Sequence, residues 1–580
     1  MSNPKRSESS AGSKDKSLEP TDGKLGQLST ILFLASFLSI SCSPNTPINS
    51  DVFSNPGVSA AMQSITPQAI EQHIRVLAAD NLEGRAPGTE GFEGASLYVE
   101  SELQKLGLTP MGSDGTFRQP VPLQESIVNE PESGLSMMVN NQAKVFSYAE
   151  DFTLSPNDSE TEVTVTGEVV FVGYGVSAPE LGYDDYADID ITGKIVLYLS
   201  GSPAMLPSNQ RAYYSSGAVK SQEASERGAV GIMSFTYPED PRFRWEVGVA
   251  RSRRGGFAWL DENGSPRGRN GDSPILGSAN LNHSLANALF ENSSVPIETV
   301  FSAAAENTPQ AFDLDASVTM KTNSRHRMVS SHNLIAKLDG ADPELKEEHV
   351  VYVAHIDHFG IGAPDENGDD IYNGAHDNAS GTSIVLEVAR AYSELANAPR
   401  RSILFLFVTA EEWGLLGSDY FVNYPTVPKS SLVANMSLDM PFLYHPLLDI
   451  VPYGAEHSSL NEAITAATDH MGIEIGPDPI PEQVLFIRSD HYSFVRQGIP
   501  ALFIKSGFET GDERDGGAMN SAFRTERYHT PNDEIEQGFD FGAGVSHAQV
   551  NFLTGYYVAM ENNRPTWNEG DFFGKIFGGQ

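Results

Sequence analysis

One cysteine stands in 580 residues. With Cys42 alone, neither an internal disulfide nor a cysteine-based zinc cluster can form. Positive charge is scarce as well: 38 Lys and Arg face 77 Asp and Glu, giving a formal net charge of -39 and a pI near 4.6. Such a surface repels polyanions, so nucleic acid and anionic membrane surfaces are not expected partners, and a well-hydrated soluble surface is. Long apolar runs are missing too. The apolar stretch near the N-terminus, Ile31-Leu-Phe-Leu-Ala-Ser-Phe-Leu38, is too short to span a bilayer comfortably. No internal repeat stands out.

What is present is enough for two or three domains. The length exceeds one ordinary core, and 39% hydrophobic with 9% aromatic residues suffices to fill several. Residues 1–42 read as a secretory signal. Lys5, Arg6, Lys14, Lys16 and Lys24 come first, then the apolar core, then small residues. Ser39-Ile-Ser-Cys42 resembles a bacterial lipobox, with Ser39 standing where Leu is preferred. The expectation is an exported protein of the periplasm or cell envelope: an outer-membrane lipoprotein if Cys42 is lipidated, a secreted protein if the signal is an ordinary cleaved one. Residues 43–65, rich in Ser, Pro and Asn, read as a flexible tether.

Thr66-Pro67 then supplies an N-cap and a first-turn proline for a helix with Ile70, Ile74 and Leu77 on one face. A second amphipathic helix carries Ala95, Val99, Leu103 and Leu106 and stops at Gly107. From 126 to 325 short β-rich pieces at 168–172, 194–199 and 229–235 alternate with Gly-, Pro- and Asp-rich turns, without an obvious His/Asp/Glu cluster. This section reads as a β-rich insertion between an N-terminal part, 66–125, and a larger part, 326–565; residues 566–580 read as a tail. In the larger part, Val350–Ala354 and Ile403–Val408 are unbroken apolar runs, as strands buried on both faces of a parallel sheet require. A helix over 383–395 links them, with Val385, Val388, Ala389, Tyr392 and Leu395 facing inward. Ala434–Leu438 and Pro500–Ile504 add strands, so the fold class is α/β: a mostly parallel central sheet flanked by helices.

Acidic and histidine residues collect at the carboxyl ends of these strands, the edge where α/β sheets place their sites. His355 and Asp357 follow the first run, Asp377 opens the helix, Glu411-Glu412 follow the second run, Asp439 ends the third, and His529 lies in a late loop. Imidazole and carboxylate are the zinc ligands left to a chain without spare cysteines. Two zinc ions need a shared carboxylate to offset their repulsion. Two His and three carboxylates give each ion three donors with one carboxylate shared. Asp357 is placed to orient a metal-bound His, and a further carboxylate can serve as base.

These motifs resemble peptidase family M28, the co-catalytic di-zinc exopeptidases. The resemblance rests on Ala354-His-Ile-Asp-His358, Gly374-Ala-His-Asp-Asn-Ala-Ser-Gly381, Thr409-Ala-Glu-Glu-Trp-Gly414, Ser437-Leu-Asp-Met440 and Tyr528-His-Thr-Pro-Asn-Asp533. Ser489-Asp-His491 and Glu83-Gly-Arg-Ala-Pro-Gly88 also look like the family, and the insertion resembles a protease-associated domain. The resemblance implies one zinc on His355, Asp377 and Asp439, and a second on Asp377, Glu412 and His529. It implies Glu411 as general base, Asp357 behind His355, and a cis peptide at Asp377-Asn378. His376 is expected to point away from the metals. The implied activity is zinc-dependent removal of N-terminal residues from peptide substrates. A single-zinc acyl transferase like glutaminyl cyclase and a non-catalytic receptor-like binding protein are the alternatives; the complete ligand set and base weigh against both. No feature of the sequence specifies an oligomeric state.

Overall fold

The computed structural model describes residues 50–579, apart from 140–141, 239, 241–242 and 269–274. The expected signal segment, Cys42 and the first part of the expected tether lie outside the described residues.

The second part of that tether is folded. Pro56–Ser64 is a helix capped by Asn55, whose side chain accepts the Gly57 amide, and Val58 and Ala61 are buried. Two apolar side chains one turn apart suffice to dock so short a helix, and composition hides them among Ser, Pro and Asn. The helix Pro67–Leu77 follows. Thr66 caps it through the Ala69 amide at 3.2 Å, and Ile70, Ile74 and Leu77 are buried. Glu90–Lys105 is the second amphipathic helix, burying Ala95, Val99 and Leu103.

The strands of the catalytic-part sheet are β1 (Arg118–Val128), β2 (Phe312–Leu338), β3 (His349–His355), β4 (Ser402–Val408), β5 (Leu432–Ser437), β6 (Asp449–Tyr453) and β7 (Ala501–Ser506). Their spatial order is β1-β2-β4-β3-β5-β7-β6. The centre β4-β3-β5-β7 is parallel; β2 and β6 flank it antiparallel. Every residue of β3, β4 and β5 is buried, as the apolar runs Val350–Ala354 and Ile403–Val408 demand of the first two. The helix Gly381–Ser393 crosses between β3 and β4. Val385, Val388, Ala389 and Tyr392 are buried as expected, and Leu395 lies just past the helix end, half-buried. At roughly 1.5–3 kcal/mol per fully buried large apolar side chain, this layer holds the sheet rigid against its helices.

The insertion forms its own sheet. Strands 162–171, 195–199, 231–235 and 277–281 pair in parallel in that order, and the first half of β2 closes one side. The expected domain limits at 125/126 and 325/326 fall inside β1 and β2. Those two strands stay in register from Arg118↔Leu334 to Val128↔Ser324, straight across the limits. No linker separates the parts, because the paired strands continue through. The expected tail is also packed. Its helix Phe572–Phe577 buries Phe573, and the preceding Asp571 carboxylate meets His457 Nδ1 at 2.6 Å.

Candidate metal centre

Strand β3 lies between β4 and β5, and this adjacency builds the site. His355 is the last residue of β3, Glu411 and Glu412 come just after β4, and Asp439 comes just after β5. Asp377 reaches the same edge from Ala375–Ser380, a short wide-turn helical segment whose Asp377-Asn378 peptide is cis. His529 arrives from a late loop, at φ 60°.

Two clusters share Asp377. In the first, His355 Nε2 lies 3.4 Å from Asp377 Oδ1, 3.6 Å from Asp439 Oδ1 and 3.9 Å from Glu411 Oε2. His355 Nδ1 stands 3.1 Å from the Asp357 carbonyl oxygen. A carbonyl only accepts, so Nδ1 carries the proton and the Nε2 lone pair faces the carboxylates. In the second, His529 Nε2 lies 3.1 Å from Asp377 Oδ2 and 3.2 Å from Glu412 Oε2. The adjacent glutamates therefore diverge, Glu411 toward His355 and Glu412 toward His529.

The donor set fits metal ions. His355 Nε2 and Asp439 Oδ1 are buried and have no hydrogen-bond partner, yet they face each other. A lone pair against a carboxylate is repulsive unless a cation or proton lies between. Burial alone would lower the His355 imidazolium, but Glu411, Asp377 and Asp439 hold it well above its ordinary value, so the pocket demands positive charge. His355, Asp377 and Asp439 each offer a ligand atom within 4.8 Å of the others, as do His358, Asp377 and Glu412. His358 thus joins the second cluster: its Nδ1 meets Glu412 Oε1 at 2.6 Å. Glu411 makes no such pairing. Burial first, then Asp439, Asp490 and Glu412, push its carboxyl well above the usual range against the pull of His355.

Asp357 sits differently from the expectation. Its main-chain oxygen, not its carboxylate, holds His355 Nδ1; the nearer carboxylate oxygen is 3.9 Å away. The carboxylate accepts the amides of Glu411 at 3.2 Å and Glu412 at 3.4 Å. Asp357 thereby fixes the glutamates as well as the histidine. His376 packs among Phe523, Tyr444 and Phe442, away from both clusters.

Three supports carry no pattern that sequence reading could score. Asp533 accepts the amides of His376 and Asp377, each at 2.9 Å, and so holds the shared ligand's loop. Asn378 donates to the Leu438 carbonyl at 3.0 Å and accepts the Met440 amide at 3.2 Å, tying that loop to both sides of Asp439. Arg85, buried and at φ 53°, donates to the carbonyls of Leu77, Ile356, Asn373 and Gly374. One guanidinium thus joins the two ligand-bearing stretches to the N-terminal helices. Asp533 ends the stretch Tyr528–Asp533 and Arg85 lies in Glu83–Gly88, but a backbone-directed role leaves no spacing to read. The insertion reaches the site as well. Its Arg254 stands over Phe359 at 4.7 Å and Tyr372 at 4.8 Å, and the Phe359 ring lies 4.5 Å from His529.

Comparison with known proteins places these residues in context. Residues 333–551 match the model of peptidase family M28. Over 231 residues the chain is 26% identical to a probable leucine aminopeptidase 2 of Aspergillus oryzae, covering 38% of this chain and 43% of that protein. Over 272 residues it is 28% identical to a probable glutamate carboxypeptidase of Arthroderma benhamiae, covering 43% of this chain and 33% of that protein. The chain thus spans less than half the length of these curated relatives. Among solved structures, an aminopeptidase from Aneurinibacillus sp. strain AM-1 is similar in fold, with a TM-score of 0.51 at 18% identity over 87% of this chain and 97% of that one.

Proposed function

The chain belongs to peptidase family M28 through residues 333–551, and from that premise we propose that it is an exported di-zinc aminopeptidase acting on peptides. The observation that carries the reading is the pair of orphaned, facing atoms His355 Nε2 and Asp439 Oδ1 beside a carboxylate, Asp377, that a second histidine also approaches. His355, Asp377 and Asp439 would hold one ion; Asp377, Glu412 and His529 would hold the other, with His358 fixing Glu412. A donor set for two ions weighs against a single-zinc acyl transferase.

When bound, zinc supplies Lewis acidity to a carbonyl oxygen and acidity to water. Glu411 is the general base. It stands beside the first cluster without a hydrogen-bonded partner among the ligands, and its raised proton affinity suits accepting a proton from the attacking water and returning it to the leaving amine. Asp357 keeps it aimed by holding its amide. Asp533 and Asn378 keep Asp377 in place for both ions. Arg254, from an insertion we read as a protease-associated domain, narrows the approach to His529.

The test is a panel of aminoacyl anilides assayed with and without a chelator, beside zinc analysis of two variants. Glu411→Gln should retain zinc and lose turnover; near-normal activity would overturn the base assignment. His355→Ala should lose zinc; unchanged content would overturn the ligand assignment. Export and lipidation of Cys42 form part of the proposal. Fatty-acid labelling should tag the wild type and not Cys42→Ser; label in both would exclude anchoring at that residue.

A further inference from the structure

Beside the first cluster lies a cleft lined in part by Met440, Tyr453, Lys505, Asn520, Phe523 and Arg524. Met440 follows the ligand Asp439, so whatever fills the cleft sits next to the reacting atoms. In a chain with 38 cationic and 77 acidic residues, two cations, Lys505 and Arg524, line this cleft, and a third, Arg488, meets Tyr528 beside it. Lys505 is committed: its Nζ donates to the main-chain oxygens of Asp439 and Met440. The two arginines are not. Arg488 donates to the Tyr528 hydroxyl at 3.0 Å and to the Gln483 carbonyl at 3.5 Å. Arg524 donates through Nε to Asn520 at 3.0 Å and stands 5.7 Å from the Tyr528 ring. All these partners are neutral, and neither guanidinium forms an ion pair among the described residues.

Tyr528 links the pair to the centre, because its ring stacks on His529 with centroids 3.6 Å apart. The arginines repel each other: Arg524 is held below the ordinary guanidinium value by burial first and by Arg488 second. Two like charges on either side of Tyr528, with hydrogen-bonding capacity left over and no acid paired to them directly among the described residues, form a receptor for an anion. The planar fork of a guanidinium matches a carboxylate.

We propose that Arg488 and Arg524 recognise a carboxylate of the substrate residue seated in this cleft, making them specificity determinants for acidic substrates. The inference rests on the peptidase reading above. The carboxylate has two sources: the side chain of an N-terminal Glu or Asp, or the α-carboxylate of a C-terminal residue.

The experiment compares kcat/KM of the zinc-loaded enzyme for glutamyl, aspartyl, leucyl and alanyl anilides, and for N-acetylated dipeptides with a free or amidated C-terminus. The same set is run on Arg524→Gln and on Arg488→Gln, the latter an exposed position where folding is not at risk. Calorimetry with free L-glutamate and L-leucine gives a readout independent of turnover. For a side-chain carboxylate, the glutamyl-to-leucyl ratio should fall about 10–100-fold in each variant, with glutamate binding weakened in parallel. For an α-carboxylate, the N-acetylated dipeptides should be cleaved, and both amidation and either substitution should remove that activity. A wild type that prefers leucyl or alanyl anilides, with ratios and glutamate binding unmoved in both variants, overturns the inference and leaves the peptidase reading standing. No chelator-sensitive hydrolysis of any substrate overturns the peptidase reading, and this inference with it.

Discussion

Replacing Asp533 with Asn tests whether the shared ligand is held from beneath. Asp533 is fully buried; Oδ1 accepts the His376 amide at 2.9 Å and Gln537 Nε2 at 2.6 Å, and Oδ2 accepts the Asp377 amide at 2.9 Å. Asparagine keeps the shape and retains one oxygen. With that oxygen at the Oδ1 position two of the three bonds survive, so this orientation is favoured, and the new NH₂ then faces the N–H of Asp377 itself. Losing a hydrogen bond to a charged acceptor costs about 1.5–3 kcal/mol, and a buried N–H left unmet costs about 1–3 kcal/mol. The total, about 2.5–6 kcal/mol, falls on the residue that both ions share. If half of it appears as weaker retention, zinc affinity drops about 10–100-fold, since 1.4 kcal/mol is a factor of ten. The assay is zinc competition against a chelator of known affinity, with circular dichroism to establish that the variant is folded. Gln537→Ala is the comparison: it removes the third bond and leaves both amides met, so affinity should stay within about twofold. A folded Asp533→Asn that holds zinc as tightly as Gln537→Ala refutes the reasoning.

Other outcomes follow from the same structure. Arg85→Met strips the donor from four buried carbonyls, and the midpoint of urea unfolding should fall by an amount equivalent to about 3–5 kcal/mol; an unmoved midpoint would show that the carbonyls find other partners. Chelation should abolish hydrolysis and lower the thermal unfolding temperature, and zinc should restore both; a chelated enzyme as heat-stable as the loaded one contradicts the coupling of ligands to fold. In the insertion, burial pushes the Lys220 ammonium down from 10.5 to about 7. The unfolded chain then binds the extra proton between those values, so this group's contribution to stability rises with pH from about 7 to 10.5. Asp185 has the opposite sign: burial pushes it up from 3.8 to about 7, so the stability it confers is full below pH 3.8 and is lost as pH rises through 7. Lys220→Met should therefore flatten the alkaline gain in unfolding midpoint between pH 7 and 9, and a variant with the wild-type slope would contradict the assignment.

The parts of the fold that follow from hydrophobic pattern were legible in the sequence. Val350–Ala354 of β3 and Ile403–Val408 of β4 are unbroken apolar runs because both faces are covered, and the helix between them has the expected inward face. The candidate ligands were legible for a different reason: acid and imidazole groups stand out at the ends of apolar strands. What the pattern does not encode is what backbone atoms do. Asp357 holds His355 through its carbonyl, and any residue offers a carbonyl. Asp533 and Arg85 work on amides and carbonyls, and only the fold brings those near. His358 carries no such signal, because its partner Glu412 comes from the turn after another strand. The expected domain limits fall within paired strands because composition changes near 125 and 325 while strand pairing does not. The helix Pro56–Ser64 was missed because a two-residue apolar face is invisible in a polar, proline-containing stretch.

The 27 residues of β2 have a mechanical consequence. Its first half belongs to the ladder of the insertion and its last residues to the ladder beside β4, with β1 paired along the passage between. A hinge needs a residue whose backbone is free to turn, and a strand bonded along its edges offers none there. The insertion is therefore mounted as a cantilever. It can flex by twisting, which spreads small changes over many bonds, but it cannot swing as a lid on this side. Arg254 accordingly stands at a fixed height over the rim of the site, and entry to the cleft is set by the shape of a rigid frame rather than by the opening of a door.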